Sequence, residues 1–200
     1  AGGGSQTALR TYEDYVVGEP ERNAHVGNQG AGTALVTDET AATGKHSLKF
    51  TDAVGLTASF FPYITYPLEQ DTGSLKMSFD LRWEKGGMMA LDWRDDPYKY
   101  NLGPNLTTTA DGKLKANGKE VLPLPEGKWV HIEIQCALGD QAHGKYDLTV
   151  KLPEAAPQVF KDMACSPLFS TLNCVVFMAM GDAPGVFYID NLAFAAAGVK

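Results

Sequence analysis

The sequence predicts an all-β fold in which two antiparallel sheets pack face to face. Three observations support this prediction. About ten short segments alternate apolar and polar residues, with the two-residue period of a strand that has one buried face. Gly, Pro, Asn and Asp separate these segments at regular intervals. No long segment has the period of an amphipathic helix, so a fold of alternating strands and helices is not expected.

Each predicted strand lies between turn residues, and its alternation indicates which face is buried. Segment 75–84 is the clearest, because large apolar side chains occupy every second position. Segment 57–67 contains Pro62, which suits an edge strand because proline cannot donate to a ladder. The turns Asp111-Gly112 and Asn117-Gly118 predict one or two hairpins. The predicted strand segments are 34–39, 46–52, 57–67, 75–84, 88–95, 105–121, 128–138, 146–153, 174–182 and 186–194.

The length and composition fit one domain with its own core. The chain has 200 residues, of which 44% are hydrophobic and 20% are charged, so it is globular rather than disordered. We expect a single β-sandwich domain over residues 11–194. Residues 1–10, which open with AGGGSQT, are interpreted as a linker or an expression remnant, and residues 195–200 as a tail.

The charge narrows the choice of partner. The net charge of −7 argues against nucleic acid, because phosphate groups need clustered Lys and Arg. No apolar run approaches the roughly 20 residues of a membrane helix, so no membrane span is expected. A neutral or cationic partner, or a metal ion, fits the charge better.

Three cysteines leave two interpretations open. Cys165 and Cys174 flank a loop-like stretch and are bridged in an oxidising compartment, or else both are reduced and partly buried. Cys136 alternates in phase with the apolar residues of its strand and is predicted to be a small core residue. No cluster of Cys and His has the spacing of a zinc site.

The last predicted strand carries Asp190 and Asn191 in the middle of an apolar run. The start of the chain carries another acidic pair, Glu13 and Asp14. If the first and last strands are neighbours, these carboxylates approach one another and repel unless a cation lies between them. Ca²⁺ would suit such a site, with carbonyl groups supplied by the turn at 44–46. The alternative is that Asp190 and Asn191 hydrogen-bond to the backbone of a turn.

Three stretches, TYEDYVVGEP, TGKHSLKF and FYIDNLAF, together resemble signatures of bacterial β-sandwich carbohydrate-binding modules. They also resemble concanavalin A-like, laminin G-like jelly rolls attached to polysaccharide-degrading enzymes, as does GKWVHIEI at 127–134. The resemblance implies a jelly roll with a structural calcium held by Glu13, a carbonyl at Lys45 and Asp190. It also implies a secreted, periplasmic or cell-surface bacterial protein with a neighbouring catalytic domain.

The densest candidate for sugar binding is segment 91–104, because aromatic rings stack on the C–H faces of sugars and polar groups fix their orientation. Arg94 could also bind the carboxylate of an acidic polysaccharide. In the alternative interpretation, Trp93 belongs to the core face with Leu91 and Met89. The residues predicted to contact the glycan are Trp93, Arg94, Tyr98, Tyr100 and, on the polar face of another strand, Arg82.

The polar faces of the strands allow a second function. If the strands that carry them adjoin, His131 with Glu133, or a carboxylate pair such as Asp80 and Glu133, could do acid–base work. The simpler interpretation is a solvated outer sheet. We therefore expect a non-catalytic carbohydrate-binding or accessory module. The alternatives are a small jelly-roll polysaccharide lyase or glycoside hydrolase, or a structural domain packed on a larger partner.

Overall fold

Two antiparallel sheets of seven strands each form the protein, in a computed structural model that describes residues 8–200. In chain order the strands are β1 (His25–Gly27), β2 (Thr33–Thr37), β3 (Ser47–Asp52), β4 (Tyr63–Gln70), β5 (Gly73–Trp83), β6 (Met89–Arg94), β7 (Leu102–Thr108), β8 (Lys113–Ala116), β9 (Lys119–Pro123), β10 (Trp129–Leu138), β11 (Lys145–Lys151), β12 (Gln158–Ala164), β13 (Leu172–Ala179) and β14 (Gly185–Ala197). A short 3₁₀ turn at Gly139–Gln141 follows β10. The predicted all-β sandwich is confirmed.

We call the two layers the front and back sheets. The front sheet has the strand order β1-β4-β13-β6-β7-β8-β9, and the back sheet has the order β12-β11-β10-β5-β14-β3-β2. The predicted hairpins over 105–121 are present as β7, β8 and β9. No helix among residues 8–200 is long and apolar enough to cross a membrane.

The sequence did not predict two of the strands, and it predicted the wrong position in the sheet for a third. β1 has only three residues, and β12 is an edge strand whose residues are mostly exposed, so neither shows the alternation of a half-buried strand. The sequence predicted an edge strand at Pro62. β4, which begins directly after Pro62, is instead the second strand of its sheet, because β1 pairs with its outer side. Pro62 is compatible with this position because it precedes the first residue of the strand.

The core lies between the two sheets and is filled from the alternating positions. The predicted face of β5 is buried throughout, from Leu75 to Trp83. Phe79 of the back sheet meets Phe177 of β13 edge to face, with ring centroids 5.3 Å apart. Phe50 and Phe187 stack at 4.5 Å beside them. Such aromatic pairs add to the burial of apolar area that holds the layers together.

A bulge explains the polar pair in β14. Asn191 has a φ of 51°, and the pairing of β14 with β5 shifts by one residue between Asp190 and Ala193. Before the bulge Ile189 points into the core, and after it Leu192 does. Ile189 and Leu192 are three positions apart, whereas strict alternation would put them on opposite faces. The extra residue of the bulge lets both point into the same core, and the polar pair Asp190 and Asn191 lies between them.

The two ends of the described chain meet at this bulge. The N–H of Arg10 donates to the carbonyl of Leu192 at 2.9 Å, and the N–H of Leu192 donates back to Arg10 at 3.2 Å. β14 also continues to Ala197. β14 thus runs three residues past 194, and the domain bounds of 11 and 194 stay a prediction. Residues 1–7 of the predicted linker lie outside the described residues.

A buried carboxylate, Glu21, fixes the irregular segment that precedes β1. Its side chain has no exposed surface. Burial and the neighbouring Glu21 carboxylate raise the pKa of Tyr12 and of Tyr66 well above the usual range, so both hydroxyls remain donors. The groups that donate to Glu21 are the hydroxyls of Tyr12, Tyr15 and Tyr66, the guanidinium of Arg10 and the N–H of Arg22.

Replacement of Glu21 by Gln should destabilise the protein by on the order of 3 kcal/mol, because a buried hydrogen-bonded charge loses its pairing and an amide N–H₂ faces donors. Urea unfolding followed by tryptophan fluorescence measures this change in the free energy of unfolding. Glu154→Gln, at an exposed position, is the control and should have little effect. Equal stability of the two variants would contradict the structural role of Glu21.

Candidate functional site

β13 is apolar on both of its faces, unlike the half-polar strands around it. Val175 and Phe177 point into the core between the sheets. Cys174, Val176 and Met178 point outward from the front sheet and form a second apolar cluster with Ala90. Antiparallel sheets commonly leave one face to water, so an outer apolar strip needs a separate explanation.

The outer strip forms the floor of a groove of about 860 Å³. The groove crosses the front sheet, with His25 of β1 at its side. Its size is in the range of ligand sites in proteins. Three rows of facing residues run from β4 through β13 to β6: Pro67–Cys174–Arg94, Thr65–Val176–Asp92 and Tyr63–Met178–Ala90.

Aromatic rings stand at both ends of the groove. At one end Phe60 packs against Tyr63, with ring centroids 5.8 Å apart, and Phe60 is 43% exposed. At the other end Tyr98 is 88% exposed and Tyr100 is 38% exposed. The end rows of the floor are four residues apart along β4, which corresponds to about 13 Å of strand.

The loop that carries Tyr98 and Tyr100 is held by its own two aspartates. Asp95 accepts hydrogen bonds from the backbone N–H and the side-chain amide of Asn101, at 2.7 and 2.9 Å. Asp96 accepts from the N–H groups of Tyr98 and Lys99, at 2.8 and 3.0 Å. These contacts lower the pKa of Asp96, the N–H of Lys99 contributing most. The run DDPYKYN thus encodes a closed loop that presents two rings.

Arg94 supports this loop from the sheet. Its guanidinium stacks on the ring of Tyr100, 4.1 Å from the centroid, and forms an ion pair with Asp92 at 2.8 Å. Asp92 in turn accepts a hydrogen bond of 2.8 Å from the side chain of Asn105. Three of the predicted glycan contacts, Arg94, Tyr98 and Tyr100, therefore lie together in the groove.

The other two predicted contacts lie elsewhere. Trp93 is fully buried and points into the core with Leu91 and Met89, because every second residue of a strand lies on the same face of the sheet. Its ring cannot stack on a sugar, and the alternative interpretation of this residue is the correct one. Arg82 lies on the outer face of the back sheet, in an ion pair with Glu84 at 2.8 Å.

Several groove residues were not predicted from the sequence. Phe60, Tyr63 and the outward residues of β13 were assigned only to strands. A signal for them exists: the run CVVFMAM is apolar at every position, whereas its neighbours alternate. In an antiparallel sandwich, such a run indicates a strand that is covered on its outer face as well.

The three cysteines are free. Cys174 lies in the groove floor on the outer face of β13, while Cys165 follows β12 and packs against the main core. Of the two interpretations left open, the structure has the unbridged one, because the two thiols lie on different faces of the sandwich. Cys136 is buried in β10, as its alternation predicts.

The predicted metal residues lie at the junction of the two chain ends. One carboxylate oxygen of Glu13 accepts from the backbone N–H groups of Lys45 and His46, at 2.9 and 2.8 Å. Gly44 allows this approach, because a Cβ there would lie 2.5 Å from the carboxylate of Glu13 and its φ is +67°. Asp190 is fully buried and accepts from the N–H groups of Ala42, Thr43 and Asn191.

Both carboxylates thus anchor the turn that precedes β3 to the chain ends. Their oxygens face N–H donors, whereas Ca²⁺ needs a shell of six to eight oxygens that includes carbonyl groups. Glu13, Lys45 and Asp190 in this arrangement do not fit such a shell. In residues 8–200 no group of three or more His, Cys, Asp and Glu side chains is arranged to hold a metal ion. Bound calcium stays a prediction.

The predicted catalytic residues of the alternative function contact one another on the back sheet. His131 Nδ1 lies 2.7 Å from Asp80 Oδ1, and His131 Nε2 lies 3.2 Å from Glu133 Oε1. The hydrogen bond with Asp80 is the main cause that raises the pKa of His131. Asp80 also accepts a 2.7 Å hydrogen bond from Asn191. This cluster lies on the outer face of the back sheet, away from the groove.

Solved structures share this fold. The endo-β-1,4-glucuronan lyase of the fungus Trichoderma reesei matches with a TM-score of 0.67 and 9% identity over 96% of each chain. A carbohydrate esterase of the Shiga toxin-encoding bacteriophage phi24B matches at 0.64, with 12% identity over 98% of this chain and 100% of that one. The CBM22-1 xylan-binding domain of Paenibacillus barcinonensis Xyn10C matches at 0.52, with 15% identity over 100% and 99%.

The likeness shows the fold. At these identities it establishes a jelly-roll β-sandwich of the kind found in carbohydrate-processing enzymes and in a carbohydrate-binding domain. A scan of protein-family models and a search of curated proteins found no match.

The buried carboxyl of Asp190 gives a pH prediction. Burial raises its pKa to about 6, above the value of about 3.9 for an unfolded Asp. Protonation of Asp190 therefore favours the folded state: this contribution is complete below pH 3.9 and is lost as the pH rises through about 6. The carboxyl ¹³C shift of Asp190 should titrate with a midpoint near 6.

The matching stability experiment compares the wild type with Asp190→Asn, which cannot ionise. The free energy of unfolding of the wild type relative to this variant should fall between pH 4 and pH 7. A ¹³C midpoint near 4 together with a flat difference would contradict the prediction.

Proposed function

We propose that this chain is a non-catalytic carbohydrate-binding domain that holds a polysaccharide in the groove of the front sheet. The observation that carries the proposal is an apolar floor on a paired sheet, with aromatic rings at both ends. Sugars bind through stacking of their C–H faces on rings, with a few polar groups to orient them. The carbohydrate-related proteins that share the fold support this function.

The groove chemistry favours binding over catalysis. Glu69 is the one described lining residue with a carboxyl group, since Asp92 of the middle row is nearly buried and paired with Arg94. Glycoside hydrolysis uses two carboxyl groups that flank the scissile bond. The floor offers thioether, thiol and alkyl groups, and the one imidazole of the described lining, His25, lies at the side. Tyr63 and Tyr100 supply hydroxyls that can orient a sugar.

The proposal extends to the setting of the domain. Its resemblance to modules of polysaccharide-degrading proteins supports an accessory role in a secreted, periplasmic or cell-surface bacterial protein. In that setting the domain would keep a neighbouring catalytic domain close to the polysaccharide. A lyase or hydrolase that uses His131, Glu133 and Asp80 stays a prediction, and so does a purely structural role.

Removal of one ring from either end of the groove should weaken binding about tenfold, because an aromatic stacking contact contributes about 1.5 kcal/mol. The variants are Phe60→Ala and Tyr98→Ala, whose side chains are exposed, so the fold should survive. Affinity gel electrophoresis in embedded polysaccharides measures the change in retardation.

Leu168→Ala is the control, since Leu168 is 72% exposed and lies outside the groove. It should retain wild-type retardation. Equal retardation of all four proteins would place binding outside the groove. A wild type that no polysaccharide retards would refute the proposed function.

A further inference from the structure

The groove contains one cationic side chain of fixed charge among its described lining residues, Arg94, and that charge is already paired. Nε and Nη2 of Arg94 both donate to one oxygen of Asp92, at 3.1 and 2.8 Å. Nη1 donates to the carbonyl of Pro97 at 3.3 Å, and Nη2 also approaches Met178 Sδ at 3.7 Å. The side chain is 15% exposed.

This pairing leaves Arg94 unable to bind a sugar carboxylate in the usual way. A guanidinium has five N–H donors, and the two-pronged contact with a carboxylate uses two of them in parallel. Four of the five are engaged by Asp92, Pro97 and Met178. One face of the guanidinium is covered by the ring of Tyr100.

The ion pair is also anchored from the sheet. Asp92 is nearly buried, and its second oxygen accepts a hydrogen bond of 2.8 Å from Asn105. Separation of Arg94 from Asp92 would leave a buried carboxylate without its counter-charge, which is costly. An acidic ligand therefore cannot form an ion pair with Arg94 without the free-energy cost of leaving Asp92 buried and unpaired.

The remaining charges at the groove are mainly negative. Glu69 is exposed in the lining, and Asp95 and Asp96 lie in the adjacent loop. Lys99 is the one Lys or Arg of the loop between β6 and β7. The chain as a whole carries a net charge of −7, so a polyanion meets repulsion at long range too.

From this charge distribution we propose that the groove selects a neutral polysaccharide and rejects polyuronates. The inference rests on the proposed function and gives its ligand class. It corrects the sequence-based expectation that Arg94 binds an acidic glycan, because that expectation did not include Asp92. Arg94 acts as a positioning residue for the ring of Tyr100.

Affinity gels of mixed-linkage β-glucan and arabinoxylan, which are neutral, and of alginate and polygalacturonate, which are anionic, test the inference. The gels are run at low ionic strength, where any electrostatic attraction is strongest. We expect retardation by at least one neutral polymer and by neither anionic one. Retardation by an anionic polymer alone, or more strongly than by the neutral ones, overturns the inference and leaves the proposed function standing. No retardation by any of the four refutes the function itself.

Two charge-reversal variants distinguish the effect of the groove's local charge from the effect of the net charge of the chain. Glu69→Lys adds a cation inside the groove, and Glu154→Lys makes the same change at an exposed site outside it; both residues have a positive φ, so the backbones are matched. Glu69→Lys should gain salt-sensitive retardation by alginate, because the new cation lies inside the groove. Glu154→Lys should gain none. Equal gains in both variants would show that overall charge, not the groove, excludes polyanions, and would overturn the inference.

Discussion

The structure depends on β13, a strand that must bury both of its faces. Phe177 on its inner face touches Phe79 of the opposite sheet, while Val176 on its outer face lies in the groove floor. The core and the candidate site are therefore two sides of a single strand. Because protein interiors are packed to near-crystalline density, a change of volume on one side shifts the other. The packing of the groove floor is therefore tied to the packing of the core beneath it.

Two buried carboxylates attach the irregular parts of the chain to this framework. Glu21 gathers three tyrosine hydroxyls and connects the segment before β1 to β4, through Tyr66. Asp190 gathers three backbone N–H groups and connects the turn before β3 to β14. In both places a segment without strand pairing gains its hydrogen bonds from an acidic side chain, so buried backbone groups are not left unsatisfied.

The two sheets could be predicted from the sequence because the alternation of apolar and polar residues shows which face of each strand is buried. The prediction failed where this alternation is missing: β12 is mostly exposed, and β1 is too short to alternate. Trp93 was ambiguous because an aromatic residue suits a core and a sugar site equally, and only its phase within β6 decides. The groove was partly predicted through Tyr98 and Tyr100. Phe60 lies 38 residues earlier in the sequence than Tyr98, and only the strand order shows that they belong to one site.

The closed loop between β6 and β7 has a consequence for how such a domain can change. Asp95 and Asp96 hold the loop from within, and its contacts with the sheet are those of Arg94 with Pro97 and Tyr100. Residues 97–100 can then be exchanged as a cassette while the sandwich stays intact. Evolution or protein engineering could change the ligand chemistry at this end of the groove by replacing four consecutive codons, without repacking the interior.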